Sequence, residues 1–385
     1  MVNMRRILVL GSGKIGASIV KLLLYSGDYE ITVADISEEC LGHLPSHEHL
    51  TKIKLNIEKE RERLEQIAEG KHAIVSALSF YHNTIIAEVC AKTGASYFDL
   101  TEDVETTKNI REIARNCAKD GQIFMPQCGL APGFIGIVGN DIAMRLDEVH
   151  TLQMRVGALP MYPTNMLKYN LTWSTDGLIN EYCNTCEAIH EGEYKGVLPL
   201  EGLEHFSVDG VRYEAFNTSG GLGTLCETWA GKVQNLNYKT VRYLGHRDLC
   251  KFLLSELKLN TKVRRRILKE VLEASIPMTL QDVVVIFATV MGKKDGRLVQ
   301  ISDARKVYNS IVANEHWSAI QLTTAAGICT AIDLHFASKL PSKGFVSQET
   351  IRLRDFLLNR FGKYYKVDND MNINVKPVDV FLEEN

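Results

Sequence analysis

A doubly wound parallel α/β sheet joined to an α+β domain is the fold class that this sequence predicts, on three observations. A strand-like run, Ile7-Leu8-Val9-Leu10, leads into Gly11-Ser12-Gly13-Lys14-Ile15-Gly16 and then into the apolar spacing of a helix from Ala17 to Tyr25. Strand and helix patterns alternate from there to Met125, as a parallel sheet with crossover helices requires. After about residue 145 the alternation gives way to longer strand patterns interrupted by two helices, which reads as a mixed second domain.

The glycine turn and its surroundings carry the first functional reading. Gly11 allows a tight turn, Gly13 lets backbone approach a pyrophosphate where a Cβ would collide, and Gly16 lets the helix pack close to the strand. The helix that follows offers free N–H groups and a positive dipole end to phosphates. A second strand, Glu30 to Ala34, ends in Asp35, nineteen residues after Gly16, where a carboxylate would take the adenosine ribose hydroxyls. Asp35 would also repel a 2′-phosphate, and Ile36 is not an arginine that would welcome one, so NAD is favoured over NADP.

Leu50 to Asn56 is a third strand and Glu58 to Glu69 a charged helix. Ala73 to Leu78 is a fourth strand, and the turn after it, Ala77-Leu78-Ser79, falls at the carboxyl edge beside a bound dinucleotide. The candidate cofactor contacts are therefore Gly11, Ser12, Gly13, Lys14, Ile15, Gly16, Asp35, Ile36, Asn56, Ala77, Leu78 and Ser79. Thr84 to Lys92 is helical, Ser96 to Leu100 a fifth strand, Thr106 to Lys119 a helix and Gln122 to Met125 a sixth strand. The loops after these strands collect Asp99, Glu102, Asp103 and Cys128 at the nicotinamide end. Further on, strands are expected over Thr151 to Leu159, Phe206 to Phe216, Tyr238 to Tyr243, and Val283 to Val290 paired with Leu298 to Ser302 across Lys294-Asp295-Gly296. Helices are expected over Arg247 to Leu257, Lys262 to Ala274, Ala319 to Ala337 and Gln348 to Arg360. The resulting division is a dinucleotide-binding domain over 1–132, completed by about 319–385, around an α+β domain over 133–318.

Composition bounds the rest. With 385 residues and 45% apolar content the chain can bury a large core, and a net charge of −3 gives no global case for nucleic acid or an anionic membrane. The basic run from Lys262 to Arg266 reads as the solvated face of a helix. The start of the chain has too few apolar residues for a signal-peptide core, and no stretch offers the roughly 18 uninterrupted apolar residues of a membrane span, so a cytoplasmic protein is expected. Nine cysteines, an odd number, point to reduced thiols. His43, His47 and His49 lie in a polar loop, and Cys183-Asn184-Thr185-Cys186 is a single pair; neither makes a metal site by spacing, and no metal is expected.

Four phrases in order and spacing, Cys128 to Gly133, Leu167 to Ser174, Glu214 to Gly221 and Tyr238 to His246, resemble the saccharopine dehydrogenase-like family, nearest to its lysine 6-dehydrogenase branch. The resemblance runs from the glycine loop to at least the helix at Ala319. It implies oxidation of an amino-acid C–N bond by hydride transfer to NAD(P), a Rossmann domain, and an α+β domain that shapes the pocket and a homodimer contact. Gly221-Leu222-Gly223-Thr224 departs from the lysine 6-dehydrogenase pattern in lacking small hydroxyl residues, while Trp173-Ser174 is nearer to the saccharopine branch.

The residues to test follow from the chemistry. An arginine can hold a substrate carboxylate by a two-pronged hydrogen bond, which suits Arg242 with His246 beside it, and Tyr169 and Trp173 would wall the pocket. Asp99, Asp103 and His246 are the candidate bases, and Cys128 a small polar wall of the nicotinamide pocket. An NAD(H) sensor without turnover is the alternative, discriminated by whether Arg242, His246 and Trp173 converge on the nicotinamide end.

Overall fold

A computed structural model of the chain describes residues 4–367. Six short strands, β1 (Arg5–Leu10), β2 (Tyr29–Asp35), β3 (Leu50–Lys54), β4 (Ala73–Ser76), β5 (Ser96–Asp99) and β6 (Ile123–Met125), form a wholly parallel sheet in the order 6-5-4-1-2-3. Residues 7–10 of β1 and all of β4 are buried, because helices cover both sides of a sheet built from crossovers. The strand order reverses between β1 and β4, which opens a crevice at their carboxyl ends.

Eleven strands follow β6 among the described residues. Those of the second sheet are β7 (Glu148–Pro160), β8 (Cys186–His190), β9 (Glu193–Val197), β10 (Glu204–Val208), β11 (Val211–Asn217), β12 (Val233–Tyr243), β13 (Asp282–Lys294) and β14 (Arg297–Tyr308). Its main path runs β10-β11-β12-β7-β13-β14, with β7 and β12 parallel and the other neighbours antiparallel. A separate hairpin, β15 (Ser310–Val312) and β16 (Glu315–Trp317), precedes the helix Ala319–Phe336. This helix is buried almost all round and is set by a reciprocal cap between Ser318 and Gln321. It lies along the helix Lys14–Tyr25, and beyond it β17 (Gly344–Phe345) pairs in parallel with β6, making the first sheet seven-stranded. Of the C-terminal segment assigned to the first domain, 368–385 lies outside the described residues.

Several elements differ from the sequence reading. The strand expected over Phe206 to Phe216 is two strands, because Asp209 and Gly210 take positive φ and turn the chain. The helix expected over Gln348 to Arg360 is a short turn at Gln348–Thr350 and a helix over Leu353–Leu358, separated by extended backbone at Ile351 and Arg352. Arg247 to Leu257 is regular only over His246–Lys251 and continues as a wider turn over Phe252–Glu256. Helices over Phe134–Ala143 and Thr175–Cys183, and the strands β8 and β9, had no counterpart in the reading. Phe134–Ala143 is apolar on nearly every face, so it has no amphipathic period to detect. No helix among the described residues is long and apolar enough to cross a membrane.

Candidate functional site

At the carboxyl edge of the parallel sheet the glycine loop closes on itself. Gly11 has φ +96° and lies so near Ala77 that a Cβ would come within 2.9 Å of its carbonyl oxygen. A Cβ on Gly16 would lie 2.0 Å from the Gly11 carbonyl oxygen, so the helix begins in contact with the strand. Nothing lies within 4 Å of a Cβ position on Gly13, which leaves its backbone open toward the crevice. Ser12 donates from its N–H and Oγ to Asp35 Oδ2 at 2.6 and 2.9 Å, and Asp35 Oδ1 accepts from Ser37 N–H at 2.8 Å. Asp35 therefore braces the loop as well as presenting a carboxylate at the end of β2. Ile36 beside it is 62% exposed. Asn56 closes the turn after β3, accepting from Glu58 N–H at its Oδ1.

A cavity of about 290 Å³ opens between this edge and the second sheet. Ile15, the turn Ala77 to Phe80, Leu100 to Glu102 and Gly129 to Pro132 form one wall. Val156 to Ala158 of β7 and Tyr238, Thr240 and Arg242 of β12 form the opposite wall, the β12 residues at every second position because alternate side chains share a face. Trp173 and Ser174, just before the helix Thr175–Cys183, and Asp176, Gly177 and Glu181 on it complete the wall, with Ile320 and Thr324 from the helix Ala319–Phe336. Trp173 lies directly on Gly177, whose absent Cβ would fall 2.4 Å from the indole.

Arg242 is 3% exposed and makes no ion pair among the described residues. Its Nε donates to the Tyr182 hydroxyl at 2.9 Å and its Nη1 to the Val241 carbonyl at 2.9 Å, while its guanidinium carbon stands 5.1 Å from the Tyr169 ring centroid. Burial disfavours its charge, but Tyr182, Tyr169 and Glu181 around it hold the proton more firmly than usual. The guanidinium is thus a fixed cation at the cavity wall with fork capacity left for a ligand.

Two carboxyl groups face the same space. Glu181, 6% exposed, is pushed up to about 8 by burial, with Glu102 raising it further and Arg242 opposing. Burial also raises Glu102, opposed by its own backbone N–H and by Asn180, whose Nδ2 donates to Glu102 Oε1 at 3.4 Å. Gly220 makes this close packing possible, since a Cβ there would meet the Glu102 carbonyl at 2.5 Å.

Of the sequence candidates, Ile15, Ala77, Leu78, Ser79, Trp173 and Arg242 line the cavity, and the four candidate catalytic residues and Tyr169 are placed elsewhere. Asp99 is wholly buried beneath the edge, accepting from Tyr97 Oη (2.6 Å), Asn83 Nδ2 (2.9 Å), Thr101 N–H (3.0 Å) and Gln127 N–H (2.7 Å). Burial lifts it to about 6 against those hydrogen bonds, and its structural work is to tie the ends of β4, β5 and β6 together. Asp103 caps the helix Val104–Cys117 by accepting Thr106 N–H at 2.8 Å. Cys128 donates to the Met125 carbonyl at 3.1 Å and borders a separate cavity of about 10 Å³ under Gly327.

His246 is 1% exposed, bonded to the Leu167 carbonyl (2.8 Å), Tyr182 Oη (3.0 Å) and Cys250 Sγ (3.2 Å), outside the cavity wall. Burial, with Arg242 adding to it, pushes it down to about 3, so it is a neutral anchor behind Tyr182 and Arg242. Tyr169 lies behind Arg242 in the same way. Glu102 was legible as a carboxyl-edge residue; Glu181 was missed with its helix. Its signal was there: Ser174 caps Gly177 N–H at 3.2 Å, and the spacing from Gly177 to Glu181 puts a carboxyl on an otherwise buried face.

Among the described residues no group of three or more His, Cys, Asp or Glu is arranged for a metal. Cys183 and Cys186 are free thiols, Cys183 at the end of the helix Thr175–Cys183 and Cys186 at the start of β8, both raised by burial.

Comparison with known proteins agrees with this architecture. Residues 7–125 match the family model of the saccharopine dehydrogenase NADP binding domain, and residues 129–365 that of the saccharopine dehydrogenase C-terminal domain. Mitochondrial alpha-aminoadipic semialdehyde synthase from Bos taurus is 24% identical over 181 residues, 46% of this chain and 19% of its own, and that of Mus musculus 22% over 185 residues, 46% and 20%. The chain spans about a fifth of the length of these curated relatives. Among solved structures, saccharopine dehydrogenase (L-Glu forming) from Saccharomyces cerevisiae superposes with a TM-score of 0.75 at 14% identity, over 91% of this chain and 96% of that one. The homospermidine synthase from Legionella pneumophila, in complex with NAD, gives 0.62 at 15%, over 94% and 89%. At these identities the superpositions speak to fold, and the two domain matches, which together take in nearly the whole chain with its glycine loop and its cavity wall, place the chain in the saccharopine dehydrogenase family of oxidoreductases.

Proposed function

We propose that this protein is an NAD-dependent dehydrogenase acting on the C–N bond of an amino acid, of saccharopine or lysine 6-dehydrogenase type. The observation that carries the reading is that Arg242, buried and without an ion-pair partner among the described residues, lines the same cavity as the turn Ala77-Leu78-Ser79. A fixed cation there suits a substrate carboxylate, and Trp173 and Tyr238 wall the space against water.

The residues at the edge fit a dinucleotide. The open backbone at Gly13 and the N-terminus of the helix Lys14–Tyr25 would hold its phosphates, Asp35 its adenosine ribose, and Ala77 to Ser79 would lie beside its nicotinamide half. Bound there, the nicotinamide supplies a hydride acceptor. The chain's own part is to hold the substrate by its carboxylate, set the amine carbon toward that edge and take up a proton from the amine.

Two experiments bear on this reading. Purified protein with NAD should produce NADH, read at 340 nm, with L-lysine or with L-saccharopine, or consume it with lysine and 2-oxoglutarate. Tight NAD binding with no turnover on any of these would favour the sensor; of the three residues that discriminate the two readings, Arg242 and Trp173 line one cavity and His246 does not. Cofactor choice rests on Asp35 beside an exposed Ile36. Asp35→Ser with Ile36→Arg should move the ratio of kcat/KM for NADP over NAD upward by about 10-fold or more, by removing a like charge and adding a phosphate partner. An unchanged ratio would remove this loop from the assignment.

A second reading has an observation of its own. Glu102 and Glu181 against one guanidinium favour a cationic amine, which is in keeping with the fold shared with a homospermidine synthase. A diamine included in the turnover panel separates this from the amino-acid reading.

A further inference from the structure

The cavity holds more acid than a carboxylate-binding site needs. Of its acidic lining groups, Asp176 is exposed and paired with Lys269 Nζ at 2.6 Å, which leaves Glu102 and Glu181 against Arg242, the basic lining group among the described residues. Glu181 is buried to 6% exposure and lines the cavity, and its carboxyl accepts no hydrogen bond from protein among the described residues. A buried carboxyl left without a donor is costly unless a ligand supplies one. The Asn180 amide gives Glu102 a single long bond of 3.4 Å. Both carboxyls thus keep free lone pairs toward the cavity, on the same wall region as Trp173.

We propose that Glu181 and Glu102 act as a pair that grips the reacting ammonium group of the substrate and takes its proton, so that the site selects molecules with a free cationic nitrogen at the reacting end. The inference rests on the reading of the cavity as a C–N dehydrogenase site. Before binding, the pair retains a proton, because burial and mutual repulsion disfavour two charges. Arrival of an ammonium ion expels that proton to solvent and leaves carboxylate. One ammonium N–H bond then breaks, its electron pair staying on nitrogen and its proton passing to a carboxylate oxygen of Glu181. The resulting lone pair is what a neighbouring C–H needs in order to leave as hydride, with oxidised nicotinamide dinucleotide as the acceptor. A tricarboxylate such as saccharopine would bring three negative groups to a cavity with one arginine, and its nitrogen is secondary and enclosed.

The groups that face Glu181 are Glu102 from the loop after β5, Arg242 and Tyr238 from β12, Tyr169 from the segment before its helix, Tyr182 beside it and Cys186 at the start of β8. Burial and Glu102 keep the proton on Glu181 at neutral pH, with Arg242 opposing.

The test is calorimetry on the full-length protein carrying NADH, which blocks turnover, at pH 7 in two buffers of different ionisation heat. The probes are L-lysine, L-norleucine, putrescine and L-saccharopine. Lysine should bind about 10-fold or more tighter than norleucine, the difference being a charge-assisted hydrogen bond, and should release about one proton. Glu181→Gln should bring the two ligands to within about 3-fold and abolish the release, and Glu102→Gln should reduce the preference while circular dichroism stays native. Equal binding of lysine and norleucine without proton release would sink the pair's role and leave the amino-acid reading standing. Pair-dependent release with putrescine, and no binding of lysine, norleucine or saccharopine, would keep the pair and sink the amino-acid reading. Full proton release from Glu181→Gln would overturn the assignment of the proton to Glu181.

Discussion

Replacing Arg242 with Met should raise KM for the amino-acid substrate by about 100-fold and leave KM for the dinucleotide within about 2-fold. The side chain stands on the β12 face that lines the cavity, and a charge-assisted fork to a carboxylate contributes roughly 1.5–3 kcal/mol, which is about 10- to 100-fold. The upper end is expected here because the carboxylate would otherwise be buried without a partner. Arg242→Lys should fall between, since an ammonium keeps the charge but not the fork. Arg242 also holds Tyr182 Oη and the Val241 carbonyl, so Tm must be measured beside the kinetics. Equal losses for both substrates with a lowered Tm would mean that the arginine serves packing.

Glu181→Gln should flatten the pH dependence of stability between about pH 5 and 8. Glu181 sits at about 8 in the folded protein against its ordinary value of 4.5, so its folded-state value is raised. Below 4.5 both states carry the proton and the group contributes nothing. Between the two values the unfolded chain has lost the proton and the folded chain has kept it, so stability falls as pH rises, by up to about 1.4 kcal/mol per pH unit. Above about 8 both are ionised and the loss, about 3–5 kcal/mol in all, is complete. Asp99 and Asp282, both raised to about 6 by burial, slope the same way and remain in the variant, so the difference between wild type and variant is the quantity to read. Denaturant midpoints at pH 5.5, 7 and 8.5 supply it. Parallel wild-type and variant curves would show that Glu181 is ionised in the folded protein and would remove the proton that the pair is assigned.

What the linear chain determined was whatever depends on near neighbours. The strand, G-x-G-x-x-G and helix order requires only a local turn, and Gly11 and Gly16 meet each other across five residues, so loop, Asp35 and parallel sheet were all legible. Arg242 and Trp173 were legible through phrases resembling a family, and Glu102 through its place after β5.

Tertiary structure alone decided which acid reaches the cavity. Asp99 and Asp103 stand within a few residues of Glu102, yet Asp99 is turned beneath the edge by four donors and Asp103 is taken up by a helix N-terminus. Glu181, far along the chain, faces Glu102 because its helix is tied on both sides, Asn180 bonding to Glu102 and Tyr182 to Arg242 of β12. His246 moved from candidate base to neutral anchor for the same reason: burial, with a neighbouring arginine adding to it, strips its charge. Side-chain chemistry is written in sequence, but burial and opposing charge set whether a group is an acid, a base or a brace, and both belong to contacts between distant segments.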